Sequence, residues 1–505
     1  MFCKLINYCL NGIDTIPVDV EIDLSDGLPA FEIVGLPDSS VKEAKERVKS
    51  AIKNSGYDFP IKHITINLAP ADLRKEGCIY DLSIALGILC AIGVISATQL
   101  KDKVCIGELA LDGSIRPVRG LLPLICSAAH DSSKEIIVPS ANQPDLSVID
   151  NEHFHYAYTL KEVILYLSQN ITLPKGSSSQ LPSNPLVSLE DFSDVRGQES
   201  AKRAMMISAA GFHNLLLIGP PGSGKTMLAK RLPSILPPLR HDDSIELTKL
   251  YSLADQLSAH KVISHRPFRA PHHTTSIHGL VGGGTHPKPG EISLAHLGIL
   301  FLDELLEFNK KTLELLRQPL ESGNITISRA HQSITYPAKF LFIASTNPCP
   351  CGYYPHFERC HCDIHSIRKY LSKLSGPLLD RIDLQIETTP ILLKDLNQPK
   401  GLSSSEIYLQ VSKAHLLQQK RFKDEGILYN SEMQNRHIEK YCTLTPSASS
   451  LLHQWFDTSS GSARSYNRIL KVARTIADLS NSSFIDESHI SEAINYRLLD
   501  RKFWA

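Results

Sequence analysis

The stretch LLLIGPPGSGKT at residues 215–226 constrains the fold of this chain more than any other. Its four apolar residues read as a buried strand stopped by glycine. Gly219, Gly222, Gly224, Lys225 and Thr226 then follow in the spacing GxxxxGKT, with Pro220, Pro221 and Ser223 between them. Glycines so placed let backbone N–H groups turn inward and cradle phosphates. Lys225 then reaches the β- and γ-phosphates, and the Thr226 hydroxyl holds Mg²⁺. The helix that starts here points the positive end of its dipole at the same charges. Strand, loop and helix in that order predict a parallel α/β sheet that binds ATP with Mg²⁺.

A second strand completes the chemistry. ILFLDE at 299–304 is an apolar run ending in two acids. In P-loop hydrolases such a strand delivers its aspartate, here Asp303, to the Mg²⁺ shell. The next acid, Glu304, is placed to polarise the attacking water. A third apolar run, FLFIASTN at 340–347, ends in Asn347, which is expected to orient the same water.

Length and composition bound the rest. A chain of 505 residues suggests about three domains. Apolar residues make up 42% and charged ones 21%, which describes a globular chain with large cores. Lys plus Arg and Asp plus Glu number 53 each, so a nucleic-acid partner needs a local basic surface rather than a global charge. The N-terminus lacks the basic and apolar regions of a signal peptide. No apolar run approaches the ~18 residues of a membrane span. Most of the eleven cysteines are scattered singly, as in a reduced, cytoplasmic protein. The exceptions are Cys349, Cys351, Cys360 and Cys362. Two C-x-C pairs this close can close a tetrahedral Zn²⁺ site, although the spacing is not that of the common zinc fingers. His356, His361 and His365 are substitute ligands, and four reduced thiols around a loop are the alternative.

Residues 1–170 mix strands and helices. Residues 18–24 alternate as a half-buried strand, and 39–54 read as an amphipathic helix capped by Ser39 or Ser40. A strand at 63–68, a buried helix at 80–95, a strand and hairpin turn at 104–113 and a short strand at 135–139 follow. A Ser/Pro/Gly linker spans 171–187. Strands alternate with helices over 188–390, and 391–505 turns helical, with segments at 403–422, 447–456, 462–479 and 486–499.

An ordered set of motifs then carries a family resemblance. These are DFSDVRGQ at 191–198, RPFRAPHH at 266–273, PGEISLAH at 289–296, TNPCPCG at 346–352, SGPLLDRID at 375–383 and RTIADL at 474–479. With them the chain resembles, over essentially its whole length, the ComM/YifB family of magnesium chelatase-like AAA+ ATPases. The resemblance implies a hexameric ring that hydrolyses ATP at subunit interfaces. It also implies a DNA translocase driving branch migration of single-stranded DNA during natural transformation. Asn347 would be the first sensor and Arg381 an arginine finger given in trans, with salt bridges to Asp380 or Asp383 as its structural alternative. Arg464 would be the second sensor, with Arg468 one turn on as its competitor. Residues 1–170 resemble the α+β proteolytic domain of Lon. Ile79 falls at the serine position and Leu122 near the lysine position, so that domain is expected to be inactive. Cys78 has no motif-matched activator. The implied architecture is a Lon-like domain (1–170), an AAA+ α/β domain (188–390) and a helical lid (391–505).

Two loops look like the working surface. Residues 324–336 read as a hairpin around Arg329 and His331, just before the Asn347 strand, where related motors place a pore hairpin. A glycine-rich insertion from His272 to Lys288 carries further cations. Such cations grip phosphates without reading sequence, predicting a DNA partner, single-stranded or branched. The runner-up from a different class is an ATPase that remodels a protein partner.

Overall fold

The computed structural model describes the chain except residues 130–133, 147–148, 150–152, 177–189, 258–261, 285–286, 329–332, 356–357, 391–400, 460–461 and 505, with backbone alone at 127, 129, 459 and 501. Most of the linker, the hairpin tip with Arg329 and His331, and His356 therefore lie outside the described residues.

One compact unit comprises Met1–Ser183 and His241–Ile263. Its seven-stranded mixed sheet runs in the order Ala30–Val34, His63–Ala69, Asp14–Ser25, Phe2–Asn11, Lys103–Cys105, Glu135–Pro139, Phe154–Ala157. The alternation seen at 18–24 faces Val18, Val20, Ile22 and Leu24 into the core. Against that face lies the helix Asp81–Ala91, apolar all round and buried along nearly its whole length, shorter than the 80–95 expected. The helix Ser39–Asn54 is capped by Asp38, not by Ser39 or Ser40. Asp38 holds the extended backbone of a cap, and its carboxylate accepts from the Val41 N–H at 2.8 Å. A carboxylate also suits the positive end of the helix dipole.

In the same unit Ile79 is half-buried and Leu122 is buried in the core. Burial pushes the Cys78 thiol up to about 11, with Arg47 pulling the other way. Little thiolate is present there at neutral pH. The helix His241–Leu253, though it follows the phosphate-loop segment in sequence, belongs to this unit. Ile245 packs into the cluster around Tyr8, Leu121 and Ile125, and the Lys249 side chain bonds Cys126 on the helix Leu121–Ala129.

The second unit comprises Asn184–Arg240 and Ser264–Ala505. Five parallel strands run in the order Phe268–Arg269, Ile299–Leu302, Leu341–Thr346, Leu215–Ile218, Leu384–Glu387. Covered on both faces, a parallel strand reads as an unbroken apolar run. Leu215–Ile218 and Ile299–Leu302 are buried at every position, as those runs require. One hydrophobic core joins Leu215, Ile299 and Ile343 of the sheet to Ile407, Val411, Ile469 and Ile476 of the C-terminal helices. Those helices are Ser404–Arg421, Asn435–Tyr441, Pro446–Ser459, Ala463–Leu479, Glu487–Asn495 and Leu499–Trp504. Ser403, Ser462 and Asp486 cap three of them.

The RTIADL motif has a structural reason. Fully buried Asp478 receives Arg421 at 2.5 and 2.8 Å, Arg474 Nε at 3.1 Å and Asn430 Nδ2 at 2.8 Å. Two guanidinium groups, Arg474 buried and Arg421 half-buried, share this one carboxylate. Removing a partner from a buried ion pair costs about 3–5 kcal/mol, because the remaining charge is left without its counter-ion. Asp478→Ala is therefore expected to lower stability by about that amount, read as a lower urea midpoint. A loss under about 1 kcal/mol would mean that water replaces the carboxylate.

Candidate nucleotide-binding site

The phosphate loop sits between two strands that brace it. A Cβ on Gly219 would lie 2.2 Å from Thr388 Oγ1 and 2.5 Å from its carbonyl oxygen, so only glycine lets the loop leave the strand here. The Thr388 N–H donates to the Ile218 carbonyl at 2.7 Å, and its hydroxyl lies 2.8 Å from Ser223 Oγ. Gln198, the last residue of DFSDVRGQ, donates to the Ser223 carbonyl at 3.3 Å. Gly224 has φ of 84° and caps the helix Lys225–Arg231. That conformation turns the N–H groups at this helix start inward, where an anion is favoured.

The loop borders a cleft of about 390 Å³ lined by residues 221–227, Asp303, Glu304, Ser345, Thr346 and Asn347. Lys225 Nζ donates to the Gly219 and Pro220 carbonyls at 2.8 and 2.9 Å and to Asn347 Oδ1 at 3.2 Å. Burial draws this lysine down to about 8, against the opposing pull of Asp303 and Glu304. At that value the side chain is still largely ammonium at neutral pH, and an adjacent phosphate charge would favour that form further.

Thr226 Oγ1 donates to Asp303 Oδ2 at 2.7 Å, while Ser345 Oγ donates to Asp303 Oδ1. Oxygen atoms on one edge of an Mg²⁺ octahedron stand about 2.9 Å apart, given Mg–O bonds of about 2.05 Å. The Thr226 and Asp303 oxygens fit that edge. Glu304 follows Asp303 with φ 51° and ψ 50°, a left-handed conformation that costs a non-glycine residue of order 1–3 kcal/mol and clusters at functional sites. Its N–H donates to Asp303 Oδ1 at 3.1 Å and to Ser345 Oγ at 3.3 Å, and its carboxylate lies 3.7 Å from His273 Nδ1. The strand order thus brings together all of Lys225, Thr226, Asp303, Glu304 and Asn347.

Arg381 and Arg464 do not line this cleft. Arg381 pairs with Glu321 rather than Asp380 or Asp383, and donates to the Pro377 carbonyl at 2.6 Å. The Glu321 carboxyl is held below its ordinary range first by Arg381, with Arg464 and Arg317 adding to it. Of the two candidate arginines, Arg381 is the one that contacts this exposed acid. Arg468 is otherwise engaged, with Nε 3.1 Å from Asp383 Oδ1. Burial alone would raise Asp383, but His213 and then Arg468 reverse that and hold it low.

Two hairpins lie beside each other. Gly282–Gly283 pairs with Lys288–Pro289, and Asn324–Ser328 with Ser333–Pro337. Tyr336 donates its hydroxyl hydrogen to the Pro287 carbonyl at 2.7 Å, and a Cβ on Gly282 would lie 2.9 Å from Ile327. Lys288 is exposed. Between the RPFRAPHH and PGEISLAH segments, Arg269 clasps Glu291 with two 2.6 Å bonds, so this arginine acts within the fold.

The four cysteines also meet. Cys349, Cys351, Cys360 and Cys362 place their sulfur atoms within 4.8 Å of one another. Three of those separations are 3.3, 3.7 and 3.6 Å. Zn–S bonds of about 2.3 Å at tetrahedral angles put sulfur atoms about 3.8 Å apart, so the donor set and its spacing suit a zinc ion.

Ser345, Thr388, Gln198 and His273 were not singled out from sequence. Gln198 and His273 end the motifs DFSDVRGQ and RPFRAPHH, but nothing in the sequence marked the contact of His273 with Glu304.

Comparison with known proteins agrees with the motifs. The family described as "Magnesium chelatase, subunit ChlI" matches residues 191–396, "Subunit ChlI of Mg-chelatase" matches 20–142, and "Magnesium chelatase, subunit ChlI C-terminal" matches 401–497. The uncharacterized protein YifB of Salmonella typhimurium is 44% identical over 494 residues, covering 97% of this chain and 96% of its own. The competence protein ComM of Haemophilus influenzae is 44% identical over 497 residues, again covering 97% and 96%. The magnesium-chelatase 38 kDa subunit of Rhodobacter capsulatus is 26% identical over 174 residues, 31% of this chain and 50% of its own.

Proposed function

Because the chain belongs to the ComM/YifB family of magnesium chelatase-like AAA+ proteins, we propose that it is an ATP-driven, ring-forming DNA motor that promotes branch migration and integration of single-stranded DNA in recombination. The observation that carries the reading is the pair of tied hairpins. The hairpin Asn324–Pro337 is a separate two-stranded sheet whose ends lead back through the helices Lys310–Leu315 and Arg317–Ser322 to the Asp303–Glu304 strand and on to the Asn347 strand, a connection that can pass nucleotide state to the hairpin. Lys288 extends from the second hairpin, with Arg329 and His331 in sequence at the first.

In this reading Lys225 holds the β- and γ-phosphates. Thr226 and Asp303 hold Mg²⁺, which neutralises charge developing on the phosphates. Glu304 takes a proton from the attacking water, and Asn347 orients that water. Arg381 is the finger that reaches a neighbour's ATP in a homo-hexamer. Arg464 is the second sensor, since Arg468 is committed to Asp383. Residues 1–170 are an inactive Lon-like scaffold, 391–505 a helical lid, and the four cysteines hold Zn²⁺. The protein acts in the cytoplasm; among the described residues no helix is long and apolar enough to cross a membrane.

The test is DNA binding across a salt series. Each phosphate contact adds about 0.7 to the slope of log K against log salt for single strands. Lys288→Ala and Arg329→Ala are each expected to weaken DNA binding, flatten that slope and reduce DNA-stimulated hydrolysis, leaving basal ATP binding intact. Equal affinities and equal slopes in wild type and variants would overturn the motor reading in favour of an ATPase that remodels a protein.

A further inference from the structure

The four-cysteine knuckle lies against the nucleotide site, not apart from it. Asn347, bonded to Lys225, is followed after one proline by Cys349. Gly352, next to Cys351, is in van der Waals contact with the phosphate loop. A Cβ there would come to 2.6 Å from Pro221 Cδ and 3.8 Å from Asn347 Cγ, and Gly352 has φ of 88°. Its N–H donates to the Cys349 carbonyl at 3.0 Å, so the turn carrying two of the sulfurs is also the turn touching Pro221.

The four sulfurs lie within 4.8 Å of one another, and one of them has a backbone donor. The Tyr354 N–H points at Cys349 Sγ at 3.4 Å. This is the kind of outer-shell hydrogen bond that orients and stabilises a thiolate on a metal. The far side of the knuckle is anchored too. Asp363 caps the helix Ile364–Leu371, whose Leu371 carbonyl accepts from Trp504 Nε1 at 3.2 Å, and Tyr354 meets Phe503 edge-on at 6.4 Å.

We propose that a Zn²⁺ ion held by Cys349, Cys351, Cys360 and Cys362 is the backing of the phosphate loop, so that metal occupancy sets nucleotide affinity. This rests on the zinc reading above. Four thiolates around one dication tie two stretches of chain into a single rigid turn. That turn presses Gly352 onto Pro221 and fixes Asn347 beside Lys225. Without the ion the thiolates repel or take up protons, and the turn loses the constraint that holds it against the loop.

The experiment uses the full-length protein purified under reducing conditions without chelator. Elemental analysis is expected to give about one Zn²⁺ per chain, and cobalt substitution the charge-transfer absorption of a tetrahedral thiolate site. Binding of a fluorescent ADP is then compared before and after zinc removal, with Mg²⁺ restored. Affinity is expected to fall about tenfold or more on removal and to return when zinc is added back. Gly352→Ala, whose methyl presses on Pro221, is expected to keep the metal yet bind nucleotide at least about tenfold more weakly. Zinc bound at full occupancy, with nucleotide affinity unchanged by its removal and by Gly352→Ala, overturns the coupling and leaves the metal site standing. Absence of metal from the wild-type protein overturns both.

Discussion

Glu304→Gln is expected to lower the turnover of ATP by about 10²–10⁴-fold while leaving nucleotide affinity close to wild type. A positioned general base contributes about that factor. The substitution removes the proton acceptor but no phosphate or Mg²⁺ contact. Those contacts belong to Lys225, Thr226 and Asp303, which are held by their own bonds to Gly219, Pro220, Asn347 and Ser345. The left-handed backbone at Glu304 comes from the turn after the strand, and two backbone-to-side-chain bonds from its N–H remain in the variant. The carboxamide therefore sits where the carboxylate sat. Lys225→Ala differs in kind, since it removes charge from the phosphates and weakens binding itself. Single-turnover hydrolysis and nucleotide titration, run side by side, separate the two effects. Hydrolysis by Glu304→Gln at the wild-type rate would show that another group polarises the water.

How far the sequence foretold this site follows from what each residue depends on. The phosphate loop and the two strands ending at Asp303 and Asn347 were legible because their pattern is local. A buried parallel strand is an apolar run, and the polar residues at its end stand out against it. The fold brings those ends to Lys225 and Thr226. Side chains that act across the sheet left no such trace. Thr388 braces Ser223 from 165 residues away, and Glu321 meets Arg381 across 60. Ser345 lies inside a run read as apolar, so its bond to Asp303 was invisible. The strand Phe268–Arg269 has only two residues, too few for any periodicity. The helix His241–Leu253 was hidden differently. Its sequence shows a helix former, but only packing reveals that it joins the N-terminal unit. The paired C-x-C motifs announced convergence of four sulfurs, whereas the contact of Gly352 with Pro221 depends on a turn that spacing does not encode.

Arg381→Ala is expected to reduce ATP turnover by about 10³–10⁵-fold, the range for an arginine finger, without weakening nucleotide binding. Arg381 lies outside its own cleft, so it has nothing to contribute to the ATP its own subunit holds. Its local partner is Glu321, whose side chain is 66% exposed. The Arg381 side chain is itself only 14% exposed and also donates to the Pro377 carbonyl, so its removal carries a packing cost, and a urea midpoint measured alongside turnover separates lost stability from lost catalysis. Dependence on a neighbour has a direct signature. Arg381→Ala subunits retain an intact phosphate loop, and Lys225→Ala subunits retain an intact finger. Each alone is expected to be inactive. Mixed in equal amounts and allowed to assemble, they create interfaces that pair a good loop with a good finger, and about a quarter of interfaces qualify if mixing is random. Hydrolysis should therefore return in the mixture to a measurable fraction of wild type. A mixture as inactive as its parts, with ring assembly verified by sedimentation, would show that Arg381 acts within its own subunit, and wild-type turnover by Arg381→Ala alone would remove it from the mechanism.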